Sequence, residues 1–452
     1  MIVEKLTLIE IAQATGGKIL FGNDDVTCES VVMDSRKVTE NALFIGIKGE
    51  QVDGNDYFLT AFEQGATIAL IEKDVDVIPT GQKGLVWVPS TRDALAALAK
   101  YYKNRSLTNT RFIAITGSVG KTTAKDMLCG MLSAKYKVFK TRGNYNNELG
   151  LPLMIFSMDS SYDFAVLEMG MSSLGEIHFL ADIVRPDLAL ITNIGTSHIE
   201  ILKTRENILK AKLEITDFFG PDQVLFLNAD DPYLAGIKHQ TYQIVTAGIA
   251  TGIYRAKNIS LEPGTIEFDA LRGEETLGHI KLEVPGMHNV ANGILCFACA
   301  HQLGISAADL TRMTIDRTVM RLEETQFEHL TVINDAYNAS PESAKAGLDT
   351  LALRGGRKVA LMGDMKELGD YSAKAHVEVG AYARSRVDVL IAVGDFAKEY
   401  GEGFGSQDFH GYPTYEDAVI ALPNLLDEGD LVYLKASRSM KFERFLSVLE
   451  RI

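Results

Sequence analysis

The sequence predicts an α/β protein of three domains, and three observations carry that expectation. Apolar strand-like runs alternate with helix-like segments from about residue 85 to 315, and again from about 316 to 452. Such alternation produces parallel sheets covered on both faces. Residues 1 to about 84 hold shorter alternating segments, such as 42–47, between polar turns, which reads as a small α/β unit. A chain of 452 residues also has room for three domains, at roughly 150 residues each. The domains are therefore placed at 1–84, 85–315 and 316–452.

Composition narrows the class. Hydrophobic residues make up 46% and charged residues 23%, the balance of a soluble globular protein. A net charge of −15 argues against a nucleic-acid partner, which demands a basic face. The first residues lack the apolar core of a signal peptide, and no run is long enough to span a bilayer. Cys28, Cys129, Cys296 and Cys299 are the cysteines. The last two have CxxC spacing, but in an apolar helix-like run they read as buried residues, consistent with a reducing cytoplasm.

In the central region the strands are expected at 111–116, 137–140, 163–168, 187–192 and 223–227. A detour over 241–284 reads as a small antiparallel piece that includes 265–268 and 279–282. The last region places strands near 330–334, 357–362, 388–393 and 430–434.

The chemistry begins at Thr116-Gly117-Ser118-Val119-Gly120-Lys121-Thr122-Thr123, directly after the apolar run 112–115. A strand that turns on glycines and opens into a helix aims backbone N–H groups at one point, at the positive end of the helix dipole. Phosphate oxygens bind there, with Lys121 as a point charge and the Thr122 hydroxyl as a magnesium ligand. The common pattern has glycine where this chain has Ile115. The segment still reads as a nucleoside-triphosphate site.

Other polar residues fall at the carboxyl ends of predicted strands, where ligands of open α/β sheets bind. Glu168, residues 193–198 and the pair Asp230 and Asp231 are expected to converge on the phosphate loop. Glu168 is the carboxylate suited to magnesium, the alternative being a helix cap or a surface acid. His198 is either a metal ligand or a structural histidine. Lys212, by composition alone, is a surface helix residue.

Taken together, several separated motifs resemble the Mur ligase family of ATP-dependent amide-bond ligases that build the peptidoglycan precursor. They are the 116–123 loop, Glu168-Met169-Gly170, residues 193–198, Asn228-Ala229-Asp230-Asp231, residues 288–292 and Lys435-Ala436-Ser437-Arg438-Ser439. Their order spans essentially the whole chain. Residues 143–150, 334–341 and 363–369 further resemble the member that joins D-alanyl-D-alanine to UDP-N-acetylmuramoyl-tripeptide. Departures from the family pattern are Asn334 and Ala336 around Asp335, Met320 for glycine before Arg321, Ala436 for glycine and Asn55 where histidine is common.

The resemblance implies a small UDP-binding first domain, a phosphate-loop ATPase domain and a Rossmann-like ligase domain. It implies that Gly117, Ser118, Val119, Gly120, Lys121, Thr122 and Thr123 hold the triphosphate, and that Asn292 meets adenine. Arg321 and Asp335 would meet the γ-phosphate and ribose. Two magnesium ions would be held by Thr122, Glu168, His198 and Lys212, the lysine carbamylated by carbon dioxide. Asn144 and Asn147 would orient the acyl acceptor. Substrate contacts would come from Asp34, Ser35, Arg36, Lys48, Gly49 and Asp53 at the UDP end. Tyr337, Asn338, Ser340, Lys435, Ser437 and Arg438 would supply those of the last domain. The family also implies a cytoplasmic monomer. Two rivals remain: a superfamily ligase adding another amino acid, or a nucleotide-switched protein without ligase chemistry.

Overall fold

The computed structural model describes residues 2–76, 79–316 and 320–452. Three mixed sheets form in chain order. The first contains β1 (Ile2–Thr7), β2 (Lys18–Phe21), β3 (Thr27–Val32), β4 (Ala42–Ile45), β5 (Ala66–Ile71) and β6 (Gly84–Trp87), ordered 1-3-4-5-6-2. Its four inner strands run parallel, and β1 and β2 close the edges antiparallel.

The second sheet has nine strands in the order 15-14-13-12-11-10-7-9-8. They are β7 (Arg111–Thr116), β8 (Val138–Lys140), β9 (Phe164–Glu168), β10 (Leu188–Ile191), β11 (Val224–Asn228), β12 (Gln243–Gly248), β13 (Tyr254–Glu262), β14 (Thr265–Arg272) and β15 (Glu275–Leu282). The chain moves from β7 out to β8, returns through β9 and then crosses to β10 on the far side of β7. That reversal opens a crevice at the carboxyl ends of β7, β9 and β10, the place where such sheets take ligands. Register aligns Glu168 with Ile115 and Ile191 with Thr116. The 241–284 detour is only partly antiparallel. β12 pairs parallel with β11 and with β13, and only β13 to β15 alternate.

The third sheet contains β16 (Glu323–Gln326), β17 (Thr331–Asn334), β18 (Lys358–Gly363), β19 (Val389–Val393), β20 (Phe409–Tyr412) and β21 (Leu431–Lys435), ordered 16-17-21-18-19-20. All its pairings are parallel except β16 with β17.

Packing joins the units. Ser90 caps the helix Thr91–Ser106 by accepting the Asp93 N–H. This helix buries Leu95, Leu98, Ala99 and Tyr102 in a core shared by the first and second sheets. Each fully buried leucine there contributes about 1.5–3 kcal/mol of transfer free energy. The Tyr102 hydroxyl donates to the Met158 carbonyl at 2.8 Å, so its one polar atom is satisfied. Cys296 and Cys299 lie fully buried on the helix Met287–Gln302, as the apolar run predicted. No helix among the described residues is long and apolar enough to cross a membrane.

Candidate functional site

The phosphate loop owes its shape to glycine and to a neighbouring strand end. Gly120 starts the helix Lys121–Leu132 with φ of 83°, and a Cβ there would stand 2.7 Å from Asn292 Nδ2. Only glycine meets both constraints without strain. The following loop of β10 clamps the turn. Asn193 Oδ1 accepts the Val119 N–H at 2.9 Å, Asn193 Nδ2 donates to the Val119 carbonyl at 2.8 Å, and the Ser118 N–H donates to the Asn193 carbonyl at 3.0 Å. Lys121 Nζ donates to the Gly117 carbonyl at 2.8 Å. Burial pulls its ammonium below the usual lysine range, with Glu168 opposing that shift.

Glu168 ends β9 almost fully buried, at 4% exposure, and each carboxylate oxygen has a donor. Thr122 Oγ1 donates to Oε2 and Asn146 Nδ2 to Oε1, both at 2.9 Å. A surface acid is therefore excluded. Asn146 was not among the expected site residues, although it lies between Asn144 and Asn147. Asn147 Oδ1 accepts the Gly150 N–H at 2.8 Å and so shapes the loop into the helix Gly150–Ile155.

Lys212 is not a surface residue. It is 2% exposed on the helix Arg205–Leu213, while Lys210 is exposed. Among the described residues its amine has no hydrogen-bond or ion-pair partner. Burial first, and the Lys121 charge second, hold it well below the usual lysine range. His198 adopts φ of 64° at the start of the helix Ile199–Leu202. Its Nδ1 lies 2.7 Å from Glu367 Oε2, though off the axis a hydrogen bond requires.

Except for Lys212, which lines neither cavity, these groups share one space. A cavity of about 1270 Å³ is lined by Ser118, Val119, Gly120, Lys121, Thr122, Asn144, Asn146, Asn147, Glu168 and His198 from the central domain. Arg321, Tyr337, Asn338, Ser340 and Arg438 line it from the C-terminal side. Arg321 stacks over the Tyr337 ring at 4.2 Å. A second cavity of about 720 Å³ shares Val119, Gly120, Thr122 and Arg321, and adds Thr123, His288, Asp335 and Lys435. Asp335 Oδ2 holds Lys435 Nζ and accepts the Tyr433 hydroxyl at 3.0 Å. Ser437 is buried, its Oγ accepting the Lys366 N–H at 2.8 Å.

Two expected acids do not reach either cavity. Asp231 accepts the N–H groups of Ile194, Tyr233 and Leu234, and Asp230 accepts those of Ala250 and Thr251. Their carboxylates hold loops because a buried or turning backbone needs acceptors. The first-domain set also lies apart from both cavities. Asp34 caps the turn Ser35–Lys37 and pairs twice with Arg36 at 2.9 Å, which holds its carboxyl down at about 2. The backbones of Lys48 and Asp53 form an isolated antiparallel bridge, and Gly49 donates its N–H to the Val52 carbonyl. Asn55, buried, accepts the Glu72 N–H at 2.9 Å.

Among the described residues no three His, Cys, Asp or Glu side chains stand close enough to share a metal. A divalent ion fits only with other oxygens. The paired Thr122 hydroxyl and Glu168 carboxylate are hard donors suited to magnesium on phosphate.

A phosphate loop facing a carboxylate-bearing strand end, with a second α/β domain completing the cavity, defines a nucleoside-triphosphate enzyme whose site is built between domains. Family models match in the same order: the Mur ligase family catalytic domain over 27–103, the Mur ligase middle domain over 115–300, and the Mur ligase glutamate ligase domain over 320–438. The UDP-N-acetylmuramoyl-tripeptide–D-alanyl-D-alanine ligase of Bacillus subtilis (strain 168) is 37% identical over 98% of both chains. The crystal structure of MurF from Acinetobacter baumannii superposes with a TM-score of 0.93 at 31% identity, covering 100% of each chain. That of the MurF ligase from Thermotoga maritima in complex with ADP gives 0.82 at 28% identity, covering 93% of this chain and 97% of the other. The chain belongs to the Mur ligase family.

Proposed function

We propose that this chain is the ATP-dependent ligase that joins D-alanyl-D-alanine to UDP-N-acetylmuramoyl-tripeptide in peptidoglycan precursor synthesis. One observation carries the reading: the phosphate loop, Glu168, the 143–150 loop and Tyr337, Asn338 and Arg438 meet in a single cavity. The full-length relative from Bacillus subtilis supports the choice of substrates.

The chemistry follows from that meeting. A carboxylate is a poor electrophile, so the tripeptide carboxylate first attacks the γ-phosphorus, giving an acyl phosphate and ADP. The dipeptide amine then attacks the acyl carbon, the tetrahedral intermediate expels phosphate, and the amine proton leaves to solvent or a nearby base. Lys121 and Arg321 offset charge growing on the transferred oxygens, the largest expected catalytic effect. Asn144 and Asn147 orient the acyl acceptor, while Tyr337, Asn338 and Arg438 roof the cavity against water. Asp335, in the smaller cavity, would take the ribose, and Asn292, buried behind Gly120 and lining neither cavity, would meet adenine only after a local shift.

Two magnesium ions would supply charge neutralisation at the phosphates, held by Thr122, Glu168 and His198, with Lys212. Lys212 suits carbamylation because burial, which holds its amine well below the usual lysine range, favours the neutral form that attacks carbon dioxide. The carbamate would convert an unpaired amine into an anionic oxygen ligand. The first-domain set from Asp34 to Asp53 would take the UDP end. We place the domain boundaries at 84/85 and 315/316, and the enzyme as a monomer in the cytoplasm.

The test is phosphate release from ATP. Release that needs both UDP-N-acetylmuramoyl-tripeptide and D-alanyl-D-alanine supports the ligase. Release indifferent to either substrate defeats it and favours a nucleotide switch.

A further inference from the structure

Glu342 ties together two domains that the reaction has to align. It is the second residue of the helix Pro341–Ala352, where the helix dipole favours a carboxylate. Its carboxylate crosses to the central domain and meets the loop after β10. Oε1 accepts the Thr196 N–H at 2.8 Å and the Thr196 Oγ1 at 3.0 Å, and Oε2 lies 3.2 Å from the same hydroxyl. Arg205 Nη2 stands 3.3 Å from Oε1. Hydrogen bonds to an ionised acceptor are about twice as strong as neutral ones. The approach is close enough that a Cβ at Gly195 would stand 2.8 Å from Glu342 Cδ.

The receiving loop is itself fixed to the phosphate loop. Asn193 brackets Val119 with two side-chain hydrogen bonds, and the Ile194 N–H donates to Asp231 Oδ2 at 2.8 Å. Only Ile194 and Gly195 separate Asn193 from Thr196. On the other side, Ser340 caps the helix that carries Glu342, and Tyr337 and Asn338 precede it in the roof of the cavity. A short, hydrogen-bonded path therefore runs from Val119 to the roof through Glu342.

We propose that Glu342 is a positioning residue: by clamping Thr196 and Arg205 it sets the register of the C-terminal domain over the phosphate loop, and so places Tyr337 and Asn338 against the reacting groups. The activity arm of the test rests on the ligase reading above; the geometric arm does not. Misplacement by about 1 Å costs up to about 100-fold in rate.

The test combines small-angle scattering with ADP present and steady-state kinetics on the full chain. Glu342→Ala and Gly195→Ala are expected to enlarge the radius of gyration, to lower kcat by about tenfold or more and to raise KM for D-alanyl-D-alanine. KM for the UDP-tripeptide and the thermal midpoint stay near wild type, which a merely structural role does not allow. Glu342→Gln, whose amide oxygen still accepts from Thr196, recovers part of the loss. An unchanged radius with kcat within about twofold of wild type in Glu342→Ala overturns the proposal. If that variant does not fold, Gly195→Ala decides by the same readouts, since it leaves the carboxylate present but displaced. If wild type releases no phosphate with both substrates, the ligase reading fails, and the radius comparison still decides the clamp.

Discussion

His198 Nδ1 lies 2.7 Å from Glu367 Oε2, a contact that crosses from the central to the C-terminal domain. Both residues have φ of 64°, in the left-handed region that non-glycine residues rarely occupy. Such conformations cost about 1–3 kcal/mol each and persist where surrounding structure enforces them. Here the Glu200 N–H donates to the Glu367 carbonyl at 3.3 Å, so backbone and side chain dock the same two loops.

On the proposed reading, strain at His198 trades stability for function. His198→Gly is expected to raise unfolding free energy by up to about 1 kcal/mol while lowering kcat at least tenfold. Denaturant titration and the phosphate assay check the two halves separately. A variant that loses stability and keeps full activity contradicts this assignment.

Met320 makes the same point outside the catalytic groups. It stands where the resemblance to the family leads one to expect glycine, and its φ is 60°. Met320→Gly should stabilise the chain, by roughly 0.5–1 kcal/mol after allowing for the greater freedom of glycine when unfolded. A lower midpoint in urea for Met320→Gly refutes that explanation of the position.

Lys212 gives a pH signature. Its amine is held well below the usual lysine range, while the unfolded chain takes up a proton there below 10.5. The unfolded state thus binds more protons at neutral pH, so the group lowers stability there, and the deficit shrinks as pH rises towards 10.5. In carbon dioxide-free buffer, Lys212→Met is expected to be more stable than wild type at pH 7, with the gap narrowing in alkali. Lys212→Ala should abolish ligation, with partial rescue by short carboxylic acids. Full activity in that variant removes the lysine from the site.

His288 gives the opposite limb. Dense packing beside the smaller cavity pushes its imidazole down to about 4 from 6.5, although part of its surface stays exposed. Below 6.5 the unfolded chain takes up a proton that the folded chain refuses until about 4. Stability therefore falls as pH drops through that window. Replacement by glutamine should flatten this slope in pH-dependent thermal melts. An identical slope in His288→Gln assigns the acid loss elsewhere.

Much of this was legible in sequence because the decisive signals are local. The run before Gly117 and the glycines around Lys121 fixed β7 and its loop, and the expected 111–116 matches Arg111–Thr116. Short edge strands were harder. β16 and β20 have four residues each and no clear apolar period, so their neighbours define them. Asp230 and Asp231 looked like site residues because strand ends attract ligands, but backbone N–H groups claim their oxygens. Glu342 carried no local signal, and Glu367, though inside the 363–369 motif, gave no hint of its contact, since their partners Thr196 and His198 lie 146 and 169 positions away in the chain. Lys212 was marked only by the family resemblance, since its residue type on a helix reads as surface and its burial comes from tertiary contacts.

One diffraction experiment bears most directly on the shared pocket. A crystal of the chain with a non-hydrolysable ATP analogue, magnesium and the UDP-tripeptide should place the terminal phosphate between Lys121 and Glu168, with His198 facing it and Tyr337 above. Nucleotide bound with its terminal phosphate remote from Glu168 and His198 would contradict the ligase chemistry derived from that pocket.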